Sequence, residues 1–141
     1  MLRTRTSVLL CALLASPLAG AEDRYRVIVN PRNAVAALDR AELARFFMKR
    51  VTGWPDGTPV TAVDQERSAP VRAAFSKDVH ERDADGVAAY WATQIYSGRG
   101  APPVIKRSDD EVLDFVRRNP GAVGYVSAGA PLQGVKALPV R

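Results

Sequence analysis

The sequence has very little of the two residue types that build most disulfide frameworks and many metal centres. Its 141 residues include one cysteine and one histidine. A single cysteine excludes an intramolecular disulfide framework, and one histidine excludes a metal centre that uses several histidines. We therefore expect no metal site and no cofactor, and a fold that an apolar core holds together without disulfides.

Long apolar stretches are also scarce, and the one that stands out lies near the N-terminus. Residues 1–21 begin with Arg3 and Arg5, continue through an apolar stretch at 7–18 and end in Ala-Gly-Ala. That order is typical of a secretory signal peptide. The apolar stretch is shorter than the roughly 20 residues that span a bilayer. We expect cleavage after residue 21, export to the periplasm and no transmembrane segment.

The remaining residues, 22–141, have the composition of one globular domain. The chain is 47% hydrophobic and 25% charged, fractions that are ordinary for a domain of this length. The formal net charge of +5 raises nucleic acid as a partner. Because acidic and basic residues are interspersed along the domain, we expect no nucleic-acid partner.

Strand and helix signals alternate along this domain. Short apolar runs, several of them β-branched, predict strands at 25–29, 59–63, 104–105, 122–126 and 135–140. Helical spacing of apolar residues predicts helices that begin near Asp39, Ser68, Asp83 and Ser108. The alternation predicts a layered α/β domain.

Local signals mark where the predicted helices begin. Asp39 and Glu42 form a carboxylate version of the capping box, and Ser108 and Glu111 form a second box. Ser68 is predicted to be the N-cap of a third helix, because the proline two residues later is tolerated in a first turn.

Catalytic signals are few. His80 has no serine or cysteine nucleophile near it in sequence, and we interpret it as a solvated loop residue. The acidic residues between Asp78 and Asp85 lack the ligand spacing of a calcium loop and are interpreted as a solvated helix entrance. We expect that the protein is not an enzyme.

One segment has a physical case for binding a ligand. The strand predicted at 59–63 leads into a helix that opens near Ser68, and a helix N-terminus presents free N–H groups to an anion. Arg67 and Arg72 lie on either side and can add charge-assisted hydrogen bonds. The alternative is ordinary helix capping beside two surface arginines.

Several motifs follow one another along the domain. They are Asn-Pro-Arg-Asn at 30–33, residues 38–43, Phe-Phe-Met-Lys-Arg-Val-Thr-Gly-Trp at 46–54, Arg-Ala-Ala-Phe at 72–75 and Asn-Pro-Gly-Ala-Val-Gly-Tyr-Val-Ser at 119–127. In this order they resemble the phosphate-binding proteins of ABC transporters, in a small single-domain branch. That resemblance implies a periplasmic-binding-protein-like lobe: a single three-layer α/β unit with a mixed sheet flanked by helices.

The sequence departs from that family in the ligand loop. Ala69, Pro70 and Val71 stand where the family has Ser, Gly and Thr, and Gln65 stands where a phosphate-binding arginine is usual. The hydroxyl groups are therefore missing, and Pro70 removes one backbone donor. The remaining ligand candidates, some displaced along the chain, are Gln65, Arg67, Ser68, Ala69 and Arg72.

Two hypotheses follow from the family resemblance and its departures. In the first, residues 22–141 form an exported solute-binding-protein-like domain that binds a small oxyanion such as phosphate weakly. In the second, the lobe has lost solute binding and serves as a periplasmic interaction or sensor module. The expected partners are a small oxyanion and a membrane transporter or sensor protein, or a second copy of the chain.

Overall fold

The computed structural model describes residues 24–141, so the predicted signal peptide and its cleavage site lie outside the described residues. The strands are β1 (Tyr25–Val29), β2 (Thr61–Gln65), β3 (Val104–Lys106), β4 (Ala122–Ser127) and β5 (Lys136–Leu138). The helices are α1 (Arg40–Phe47), α2 (Pro70–His80), α3 (Ala84–Tyr96) and α4 (Asp109–Arg118). Each predicted strand and helix is present with small shifts at its ends.

The strands form one mixed sheet in the order β3-β2-β4-β1-β5. β2 runs parallel to both β3 and β4, whereas β1 runs antiparallel to β4 and β5. Parallel neighbours need crossover connections, and helices provide them: α2 and α3 join β2 to β3, and α4 joins β3 to β4.

Apolar cores lie on both faces of this sheet. The larger core contains side chains of α1 and α2, among them Phe47 and Phe75. The smaller core contains Val112 and Val116 of α4. β4 is buried along all but its last residue, as expected for a strand that is covered on both faces. The sheet lies between helical layers, which confirms the expected three-layer α/β lobe.

Two of the helices begin as local chemistry predicts. The Ser108 hydroxyl accepts a hydrogen bond of 3.2 Å from the Glu111 N–H, and the Glu111 carboxylate accepts one of 2.9 Å from the Arg107 N–H. At α3, the Asp83 carboxylate accepts a hydrogen bond from the Gly86 N–H. These caps satisfy N–H groups that have no partner inside the helix.

Two of the predicted capping interactions are absent. Asp39 is the N-cap residue of α1, but its side chain makes no cap hydrogen bond in the described part of the chain; the Arg40 N–H donates to the Arg141 carbonyl. The N-cap of α2 is Ala69, and the Ala69 N–H donates back to the Glu66 carbonyl, which places Ser68 inside a turn.

The position of His80 also differs from the prediction. It is the last residue of α2, not part of a loop, and its ring lies edge-on to Phe75 at 5.7 Å and to Phe47 at 6.3 Å. Burial, together with the nearby charges of Arg72 and Arg82, lowers the pKa of His80 to about 4. The ring is therefore neutral at neutral pH and packs against the core.

Candidate functional site

A cleft of about 580 Å³ opens beside the carboxyl end of β2. The chain leaves β2 toward helices on one face of the sheet and leaves the neighbouring β3 toward α4 on the other face. Such a reversal between adjacent parallel strands creates a crevice, and open α/β sheets bind their ligands there. The cleft is lined by Asp64, Glu66, Arg67, Ser68, Arg72, Ala88, Trp91, Ala92, Ile95, Pro102, Pro103 and Ile105.

Arg72 and Asp64 form a buried ion pair in the wall of the cleft. The Arg72 guanidinium lies 3.2 Å from the Asp64 carboxylate, and both side chains are almost fully buried. The guanidinium also donates to the Gln65 carbonyl at 2.5 Å and to the Ser76 hydroxyl at 3.2 Å. Most of the hydrogen-bonding capacity of Arg72 therefore serves contacts within the chain.

The Asp64 carboxylate is equally well partnered. Its Oδ1 atom accepts hydrogen bonds from the Tyr125 hydroxyl and, at 2.9 Å, from the Gln65 N–H. Burial raises the pKa of Asp64, and the charge of Arg72 and the Tyr125 hydroxyl act against that rise. Burial and the Asp64 charge also raise the pKa of the Tyr125 hydroxyl, which keeps its proton as a donor.

The Gln65 side chain connects three secondary-structure elements through hydrogen bonds. Its side-chain amide donates to the Asp109 carboxylate at 2.9 Å and to the Tyr125 carbonyl at 3.0 Å, so it joins β2 to α4 and β4. The side chain is buried. Of the sequence-predicted ligand residues, Gln65 and Arg72 thus hold the walls of the cleft in place.

Arg67 and Ser68 lie at the rim of the cleft, ahead of the first turn of α2. The Arg67 guanidinium lies 3.3 Å from the Asp85 carboxylate, and both side chains are largely exposed. Within residues 24–141, no acceptor takes the N–H groups of Arg67, Ser68 or Val71. Ala69 is half-buried, and its own N–H is used in the turn. The rim thus offers backbone donors beside one solvent-exposed guanidinium.

The opposite wall of the cleft is apolar. Trp91 and Ile95 come from α3, and Ile105 comes from the edge strand β3. Ile95 and Ile105 are about half exposed. Tyr96, at the end of α3, is almost fully exposed.

Sequence reasoning missed the partners of the ligand candidates. Asp109 and Tyr125 are distant in sequence from Gln65 yet accept hydrogen bonds from its side chain. Asp64 and Ser76, the side-chain partners of Arg72, are close to it in sequence but were not predicted to pair with it. One signal was present: Asp64 follows the predicted apolar strand at 59–63, a position at which a carboxylate is buried only if it has a partner.

Two other kinds of functional feature, a metal centre and a membrane-spanning helix, are absent from residues 24–141. Residues 24–141 contain no group of three or more His, Cys, Asp or Glu side chains placed to hold a metal ion. In the same range, no helix has both the length and the apolar character that crossing a bilayer requires.

Known structures share this fold. An ABC-type phosphate transport receptor from Vibrio cholerae superposes with a TM-score of 0.67 at 22% identity over 84% of this chain. A Clostridium perfringens structure with bound phosphate, assigned as a phosphate ABC transporter substrate-binding protein, gives a TM-score of 0.67 at 20% identity over 84%. PstS from Borrelia burgdorferi gives a TM-score of 0.56 at 12% identity, again over 84%.

At these identities the similarity establishes the fold, and it confirms the resemblance to phosphate ABC transporter substrate-binding proteins at that level. The chain spans less than half of these relatives: 46%, 45% and 47% of their respective lengths. No protein-family profile and no curated protein matches the sequence.

Proposed function

We propose that residues 22–141 form a non-enzymatic solute-binding domain that holds a small oxyanion, such as phosphate, at the turn before α2. The observation that carries this proposal is the group of free N–H donors of Arg67, Ser68 and Val71 beside the Arg67 guanidinium. Free backbone donors and the positive end of the helix dipole favour an anion at this place.

The five predicted ligand residues take different parts in this proposal. Arg67 and Ser68 contact the anion from the rim, and Arg67 gives up its exposed pairing with Asp85, which is worth little in water. Ala69 acts through the backbone only, since its N–H closes the turn and its side chain packs against the larger core. Gln65 and Arg72 act indirectly, since their buried contacts fix where the turn lies.

We expect the affinity to be weak. Ala69, Pro70 and Val71 supply no hydroxyl group, and Pro70 has no N–H. Each missing hydrogen bond to a charged group costs about 1.5–3 kcal/mol. The cleft is also open to water, which weakens charge interactions. Binding by the monomer should therefore lie between about micromolar and millimolar.

The test is calorimetric titration of the mature chain with inorganic phosphate and sulfate. Arg67→Ala should weaken binding about tenfold or more. Arg118→Ala is the matched control, because Arg118 is also exposed and lies 3.1 Å from an aspartate, Asp114, on the far helix α4. The control should leave binding unchanged. Equal losses in the two variants, or no heat from either anion, would overturn the proposal.

The proposal also includes export of the chain and a protein partner. We expect that residues 1–21 direct the chain to the periplasm and are removed there. The domain with its bound anion would then bind a transporter or sensor in the membrane, or a second copy of the chain that covers the cleft. If a second copy covers the turn before α2, the affinity for phosphate should rise with protein concentration.

The interaction-module hypothesis remains a prediction with a defined place to test it. Ile95, Tyr96, Val104 and Ile105 form an exposed apolar edge beside the cleft, and Tyr96 is 96% exposed. If this edge contacts a partner, Tyr96→Ser should abolish the contact and leave phosphate titration unchanged. Loss of phosphate binding in that variant would argue against a separate role for the edge.

A further inference from the structure

A second concave site lies at the opposite end of α2 from the cleft. It is a pocket of about 560 Å³ that runs along α1, from Arg40 to Met48, and reaches the C-terminal end of α2. Four arginines line it, and we call it the arginine pocket: Arg40, Arg45, Arg50 and Arg82. None of the residues at the turn before α2 takes part in it.

The charge of the arginine pocket is strongly one-sided. Glu81 is the one carboxylate among its lining residues, against four guanidinium groups. The Arg40 guanidinium lies 3.7 Å from the Asp78 carboxylate, which is outside the pocket lining. Within residues 24–141, no carboxylate lies at ion-pair distance from Arg45, Arg50 or Arg82. The two helix C-termini contribute only about half a negative charge each, which does not balance the arginines.

The backbone brings two of these arginines together. The Arg50 N–H donates to the Arg45 carbonyl at 2.9 Å, and the Lys49 N–H donates to the Phe46 carbonyl at 3.1 Å. This pair of hydrogen bonds closes α1 in a Schellman motif, with Lys49 at a φ of 54° where glycine is usual. The chain therefore turns back at the end of α1, and Arg45 and Arg50 face one pocket.

The pocket also has apolar lining. Ala41, Ala44 and Met48 from the α1 side and Val79 of α2 line it together with the arginines. The volume falls within the range of pockets that hold small organic ligands. Guanidinium groups and apolar side chains in one pocket suit a carbon body that has acidic groups at its edges.

We propose that the arginine pocket binds a small organic anion with two or more carboxylate or phosphate groups. Guanidinium groups bind both kinds of oxyanion through paired hydrogen bonds, and several arginines can engage several acidic groups at once. A singly charged anion would leave most of them unpaired. This site is separate from the oxyanion site proposed at the turn before α2.

The one histidine of the chain makes the proposal testable. His80 lines the arginine pocket and is the sole histidine in the sequence, so its ring signals in NMR spectra are readily assigned and report on this pocket, and the pocket variants separate that response from any effect through Arg72. Its pKa is lowered partly by the charge of Arg82, so an anion seated beside Arg82 should raise it. The groups that face the ring are Arg72, Arg82 and the rings of Phe47 and Phe75.

The experiment titrates the full mature chain with citrate and, separately, with acetate at constant ionic strength. Citrate should shift the His80 ring signals saturably and raise the imidazole pKa, whereas acetate should do neither. Arg45→Ala and Arg82→Ala should each weaken the citrate response about tenfold or more. Arg118→Ala and Arg67→Ala should leave it unchanged.

Three results would overturn the proposal: an equal response to acetate, citrate binding that survives both pocket variants, or no response to citrate. Because Arg45 and Arg82 are exposed, the variants should stay folded, and amide spectra verify this. Failure of the oxyanion site would appear as unchanged phosphate titration in Arg67→Ala, so the two proposals fail independently.

Discussion

The Arg72 guanidinium lies 3.2 Å from the buried Asp64 carboxylate and thereby fastens the first turn of α2 to the end of β2. Tyr125 of the neighbouring strand donates to the same carboxylate, and its ring stacks on Phe75 of α2 at 3.8 Å between centroids. The ion pair thus sits between strand and helix at the base of the cleft. Arg72, which the sequence predicts as a ligand residue and which lines the cleft, is also held by contacts within the chain.

Breaking this pair should destabilise the fold. Arg72→Ala leaves the Asp64 charge buried without its partner, and such a loss costs about 3–5 kcal/mol. Arg67→Ala removes an exposed pair and should cost less than about 1 kcal/mol. Urea denaturation measures both free energies. The double variant Asp64→Asn with Arg72→Ala should lose less than the sum of the losses in Asp64→Asn and Arg72→Ala, because the two residues interact directly. A cost below about 1 kcal/mol for Arg72→Ala would contradict the assignment.

The free energy of unfolding should fall at low pH, as the His80 imidazole becomes protonated. The folded-state pKa of about 4 lies below the ordinary value of about 6.5. The unfolded state therefore binds the proton more readily, and the stability is complete above pH 6.5 and is lost as the pH falls toward 4. The loss from this group is at most about 3 kcal/mol.

The control for this pH effect is His80→Gln. Urea denaturation at several pH values between about 6.5 and 4 should show a smaller decline in the variant, because carboxylates alone remain to titrate. Parallel curves for the wild type and the variant would mean that the imidazole is not shielded in the folded state.

Gly121 should not tolerate a side chain. A Cβ atom there would overlap the Pro59 carbonyl oxygen. The Gly121 carbonyl also accepts hydrogen bonds from the Thr61 N–H at 2.9 Å and from the Trp54 indole at 3.0 Å. Gly121→Ala must shift this junction and should cost at least about 3 kcal/mol. Gly129→Ala meets no atom within 4 Å and serves as the control in thermal denaturation.

The exported chain should begin at Glu22. The arginines at 3 and 5, the apolar stretch and Ala-Gly-Ala at 19–21 predict cleavage after residue 21. Intact-mass measurement of protein from the periplasm should give residues 22–141. Material that keeps Met1, or that has a lipid on Cys11, would show that residues 1–21 are not a cleaved signal peptide.

Much of the fold could be predicted because its signals are local. The cap of Ser108 and Glu111 needs only a serine and a glutamate three positions apart, and the structure confirms it. The burial of Val87 and Trp91 follows from helical spacing. Ile95 has the same spacing and is about half exposed, because helical spacing does not record where a neighbouring surface ends.

The failed predictions have different causes. Ser68 is displaced from the cap by a local turn, in which the Ala69 N–H donates to the Glu66 carbonyl. His80 has few local cues, and the rings of Phe47 and Phe75 that shield it come from two helices. For His80 a residue distant in sequence, Phe47, changes the outcome.

By itself the sequence determined the order of strands and helices, the α/β class and the segment around residues 64–72 as a candidate site. Only the tertiary structure decided that Arg72 pairs with Asp64, that Arg67 and Ser68 face the solvent, and that four arginines converge on one pocket. Local signals suffice for helices and strands because those depend on hydrogen bonds and burial patterns over a few residues. The chemistry of the sites depends on charges that only packing brings within a few ångströms, where Coulomb energies become large.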